Sequence, residues 1–156
     1  MVRTILSAVL AFSLLAPTVS MAKDANEEAI DARRAFFQMV KFNAGTLFAM
    51  AKGKQDYDAA AAKTAAENLH TLTMMQNGAM WPAGSHKEAY PGKTRALKAG
   101  WDKYPELEKV YKDWQAAAGA LAAVAGDGLD AVKSKVGDVG KACKACHDNF
   151  RAKKFE

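Results

Sequence analysis

The sequence has little of what several fold and function classes require. Only two of its 156 residues are cysteine, too few for a disulfide-built scaffold. Sustained period-2 alternation is missing and β-branched residues are scattered, which argues against a sheet. Past the N-terminus no apolar run approaches the length of a membrane-spanning helix. Basic runs interleaved with aromatics are also lacking, so nucleic-acid binding has no support.

At the N-terminus stands MVRTILSAVLAFSLLAPTVSMA (1–22), with a single early Arg3, a short apolar run and small residues at Ser20 and Ala22. These are the features of an export signal, and cleavage is expected after Ala22. That leaves 23–156 as one exported domain with one core. Removing Arg3 lowers the formal charge from +5 to +4, or 21 basic against 17 acidic residues. Such a mild, dispersed excess reads first as solvated helix faces and second as a face for an acidic redox partner.

What is abundant is the helical period. Apolar stripes with spacings of three and four recur in four segments. The first runs Ile30, Arg33, Phe37, Val40, Ala44, Leu47, Ala51 and closes at Gly53; the second runs Ala62, Ala65, Leu69, Leu72, Gln76 and stops at Asn77-Gly78. Its other face carries Lys63, Glu67 and His70 as an exposed polar row. Residues 79–100 hold Pro82, Pro91 and several glycines, the composition of a long crossing loop. The third helix opens at Pro105, with the stripe Leu107, Val110, Trp114, Ala117, Leu121, Val124, and ends at Gly126-Asp127-Gly128. The fourth stripe is Leu129, Val132, Val136, Val139, Cys143, Cys146, Phe150. Four helices with one buried seam each predict an all-α, antiparallel four-helix bundle.

Both cysteines fall on the inward seam, in KACKACHDNFR (141–151), and His147 follows directly. Three chemistries use such residues. A redox dithiol normally sits at the start of a helix after a strand, a setting this chain does not offer. A zinc site needs a fourth strong ligand, and His70 on a polar face and His86 in a loop are poorly placed to be one. Covalent haem attachment accounts for every residue: the spacing of Cys143 and Cys146 suits two thioether bonds to one porphyrin, and His147 is placed to ligate the iron.

With the AKGKQDYDAA turn, the MWPAGS turn, an arginine early in the first helix and GKACKACHDNFR near the end, essentially the whole mature chain resembles the cytochrome c′ family. That resemblance implies one haem c held at Cys143 and Cys146, with His147 as the axial ligand. It implies an arginine, here Arg33, at a haem propionate, and another, Arg151, beside the proximal histidine. Counting back sixteen residues from the glycine of the AKG turn puts Phe37 at the vacant side of the iron, where low-spin relatives carry methionine.

The expected function is therefore that of a periplasmic, non-enzymatic cytochrome. It exchanges single electrons with redox partner proteins through a high-spin, five-coordinate haem and binds uncharged diatomics such as nitric oxide or carbon monoxide. A methionine-ligated low-spin carrier, with Met39 brought to the iron, is the alternative, and peroxidase-like catalysis ranks below it. The first helix offers no distal acid or base for the latter. The resemblance also implies a homodimer through the first two helices, with Phe36, Met39 and Met50 as an apolar flank. Arg33 is independently unusual as a charge on an apolar seam, which calls for an anionic partner.

Overall fold

A computed structural model describes residues 23–155. The expected export signal lies outside them. Helices span Ala25–Ala51 (α1), Ala59–Met74 (α2), Ala99–Asp102 (α3), Tyr104–Ala122 (α4) and Leu129–Phe150 (α5), with a 3-10 turn at Gly78–Met80. The four long helices form the bundle, in which α2 packs on α1 and α4, and α5 packs on α4 and α1. Among the described residues the only β pairing is an isolated antiparallel bridge between Ala96 and Arg151. No described helix is long and apolar enough to cross a membrane.

Local chemistry explains where the helices begin. The Asp24 carboxylate accepts from the Glu27 N–H at 2.8 Å, and the Asp58 carboxylate accepts from the Ala61 N–H at 2.7 Å. Each satisfies an N–H that the helix itself leaves unpaired. Pro105 stands in the first turn of α4, as its sequence predicts. At the start of α5 stands Gly128, at φ 128°, a conformation closed to ordinary side chains. Without a capping side chain of its own, Gly128 donates its N–H to the Tyr57 hydroxyl at 2.9 Å, and that hydroxyl donates to the Ala125 carbonyl at 3.0 Å.

The core is built from Phe36, Leu47, Leu69, Leu121, Val132 and Val139, all essentially inaccessible. Burying each such side chain contributes about 1.5–3 kcal/mol. Several positions of the expected stripes shift along their helices, in α4 from Ala117 to Ala118 among them. In α1 the buried phenylalanine is Phe36, 1% exposed, while Phe37 is 39% exposed. One residue is a turn of about 100°, and α1 packs against both α2 and α5, so its inward face is centred between the two phenylalanines and lies closer to Phe36. Met50 rather than Ala51 fills the last inward position of α1. In α2 the helix stops at Met74, because Met75 is extended, and Thr73 rather than Gln76 is buried. His70 is not fully in the exposed row: its ring lies over α4, close enough that a Cβ at Gly119 would come within 3.2 Å of its Nε2.

The dimer flank expected at Phe36 and Met50 is corrected by the same burial, since both belong to the monomer core. Outward apolar residues on α1 are Met39, 48% exposed, and Phe42, 75% exposed.

Candidate functional site

The site residues foreseen in the sequence gather in two groups at one end of the bundle. On α5, Cys143, Cys146 and His147 are all half-buried, and Cys143 packs against the core. Residues three apart on a helix share a face, so the two sulfurs point to the same side. Both thiols are free. Burial pushes the Cys143 thiol up, against the opposing field of Arg151; burial and then Cys143 raise the Cys146 thiol. A reactive dithiol needs the opposite, a depressed pKa at a helix start. No group of three or more metal-ligating side chains forms among the described residues, so zinc finds no cage.

His147 is held below its ordinary value, by burial first and then by Arg151 and Arg95, with Asp148 opposing. Its imidazole is thus kept neutral, with a lone pair to offer. Arg151 ends α5 and pairs with Ala96 across the bridge. Two further bonds fix this junction, Leu97 N–H to the Phe150 carbonyl at 3.0 Å and Ala152 N–H to the Arg95 carbonyl at 2.8 Å. Arg95 also donates to the Lys153 carbonyl at 3.1 Å, and its guanidinium lies over the Phe155 ring. The tail after the cysteine motif is therefore clamped to the crossing loop. Arg151 and Arg95 both stand close enough for their charges to act on His147; Arg95 carried no signal in the sequence.

The second group surrounds Arg33, which is 3% exposed. Its two terminal nitrogens donate four hydrogen bonds, to the Met80 carbonyl (3.1 Å), Ser85 Oγ (3.1 Å), the Ser85 carbonyl (2.8 Å) and Thr94 Oγ1 (3.0 Å). The guanidinium also lies 4.4 Å from the Trp81 ring centre and 5.9 Å from that of Trp101. Desolvation lowers its pKa to about 10, so it stays charged at neutral pH. Within the chain, neutral oxygens and ring faces do the holding. A buried cation with only neutral partners still favours an anion brought near it.

Phe37 sits beside this cradle. Its ring meets Phe36 edge-on at 5.1 Å and Trp81 edge-on at 6.3 Å. Thr94 and Arg95 are adjacent in the chain, one holding Arg33 and the other the α5 tail, so the crossing loop ties the two groups together. Ser85, Thr94 and Trp101 were not foreseen as site residues. Only Ser85 had a signal, as the last residue of the MWPAGS turn. Trp114 has the one buried side-chain polar atom without a partner among the described residues, its indole N–H.

These residues fit a covalently held porphyrin: free thiols on one helix face, a neutral imidazole beside them and a buried cation at the same end. The family model for cytochrome c′ matches residues 28–151. A cytochrome c′ from Cereibacter sphaeroides is 38% identical over 138 residues, 88% of this chain and 91% of that protein. Among solved structures, a cytochrome c′ from Rhodobacter sphaeroides superposes with a TM-score of 0.81 at 37% identity, covering 84% of this chain and 100% of that one. Another is the nitric oxide complex of a leucine-to-alanine variant of the Alcaligenes xylosoxidans cytochrome c′, with TM-score 0.72, 30% identity and coverage of 85% and 100%. Proteins of this family bind one haem c covalently, and the two cysteines here are consistent with that attachment. The chain belongs to the cytochrome c′ family.

Proposed function

We propose that the protein is a periplasmic, high-spin c-type cytochrome that transfers single electrons and binds small uncharged diatomics, nitric oxide above all. Cys143 and Cys146 would hold the haem through thioether bonds and His147 would bind its iron, while Arg33 and Arg151 would place positive charge at its edge and beside the histidine. The bound group supplies the one-electron couple and a sixth coordination position. The chain's own work is to bury that group, to keep His147 neutral and to exclude other ligands.

The observation that carries the high-spin reading is the setting of Phe37. The rings flanking it, Phe36 and Trp81, offer no lone pair suited to iron. Uncharged diatomics lose little on leaving water for such surroundings, whereas anions lose their hydration. The nitric oxide complex of the leucine-to-alanine variant of the Alcaligenes relative supports the choice of ligand.

The low-spin alternative needs Met39 at the iron. Met39 and Phe37 point about 200° apart on α1, and Met39 lies on the outward face. Peroxidase-like chemistry is disfavoured because the α1 stripe through Phe37 carries no His, Asp or Glu, and its one charged member, Arg33, stays protonated and cannot act as a base. The ferrous absorption spectrum is the test: broad high-spin bands are expected, unchanged in Met39→Ala. A sharp, strong α band would overturn the reading.

The chain is also proposed to form a homodimer, on a specific observation. Phe42 protrudes from α1 beside an open groove of about 460 Å³ lined by Gln38, Lys41, Gly45, Thr46 and Ala49. An exposed aromatic at this position suits a self-complementary helix contact.

A further inference from the structure

Phe37 has two ring neighbours, and both are fixed while it is not. Phe36 is locked in the core. Trp81 is held from four directions: its ring lies under the Arg33 guanidinium at 4.4 Å and against Trp101 at 5.9 Å, its backbone N–H donates to the Gly78 carbonyl at 3.0 Å, and its carbonyl accepts the Trp101 indole N–H at 3.2 Å. Arg33 is in turn fixed by Ser85, Thr94 and the carbonyl that precedes Trp81. Phe37 meets its neighbours only edge-on, at 82° in both pairs, and is 39% exposed. In this cluster it is the ring free to turn, and only on the side away from its two walls.

We propose that Trp81 is a positioning residue for ligand binding. Pinned by Arg33 and Trp101, it forms the wall that limits how far Phe37 turns aside, and so sets how fast a small diatomic reaches the sixth side of the iron. The inference rests on the five-coordinate reading above. It moves control of access from the residue beside the iron to a ring anchored in the crossing loop.

Flash photolysis of the ferrous haem-loaded protein, with carbon monoxide as probe, tests it. Losing one edge-on ring contact corresponds to a rate change of about two- to tenfold. Trp81→Ala should therefore raise the association rate by about that factor, with the five-coordinate spectrum and the haem content retained. Trp81→Phe, which keeps a ring edge in place, should stay near the unsubstituted rate. In the diamagnetic carbon monoxide form, nuclear Overhauser contacts between the Phe37 and Phe36 rings should be strong in the unsubstituted protein and weaken in Trp81→Ala, as Phe37 moves into the vacated space. If Trp81→Ala fails to fold, Trp101→Phe, which deletes the bond to the Trp81 carbonyl, should give a smaller rise, and an unchanged rate there overturns the proposal. An unchanged rate in Trp81→Ala with a raised rate in Phe37→Ala overturns the wall but leaves the open site standing. A low-spin spectrum in the unsubstituted protein overturns the reading beneath both.

Discussion

Arg33 is a buried cation that four neutral oxygens and two indole faces keep folded in. Arg33→Gln keeps a polar head but cannot reach all four acceptors. It should cost about 2–3 kcal/mol, because buried carbonyls and hydroxyls are left unpaired. Denaturant unfolding of the haem-loaded protein measures this. A loss below about 0.5 kcal/mol, the range of ordinary surface changes, would show that the cradle is not what holds the loop. The sequence marked Arg33 as out of place on an apolar seam but could not reveal its partners. Ser85 and Thr94 lie 52 and 61 residues away, in a loop without periodicity. The distinction between Phe36 and Phe37 was equally hidden, because both fit a stripe with spacings of three and four; only packing against two neighbouring helices decides which is buried.

At the scale of elements, α2 and α4 are tied by Tyr111, whose hydroxyl donates to the Thr73 carbonyl at 3.0 Å and accepts from Asn77 at 3.2 Å. Tyr111→Phe should cost about 1–2 kcal/mol at neutral pH through these lost bonds. Burial raises the phenol pKa above its ordinary value of 10.0, with the Asn77 bond opposing. As pH climbs past that ordinary value, the unfolded chain releases the phenolic proton while the folded one keeps it. Stability therefore falls from there until the folded phenol also ionises. Urea unfolding between pH 9 and 11, on the order of one unit either side of the ordinary phenol value, should show a shallower decline in Tyr111→Phe. The four long helices were legible because each keeps its apolar period for several turns, and Pro105 marked the start of α4. The short α3 and the 3-10 turn were not, since four and three residues are too few to display a period. The end of α2 was misplaced because the stop signal Asn77-Gly78 stands beyond Met75, where the backbone actually extends.

For the whole molecule, the exposed face of α1 gives a prediction about assembly. Phe42→Glu should convert a sedimenting dimer into a monomer while leaving the absorption spectrum unchanged; monomers in both forms would remove the proposed dimer. The crossing loop bears on a different property of the molecule, the order in which it folds. The hairpins α1–α2 and α4–α5 join neighbours in sequence, but the end carrying the site closes through long loops. Arg33 bonds to Thr94 across 61 residues, Tyr90 to Asp24 across 66, and Arg95 to Lys153 across 58. Contacts of such separation carry the largest closure entropy and form late. The cysteine motif is therefore expected to stay accessible while the two hairpins assemble, with the crossing loop that clamps the tail after it closing last.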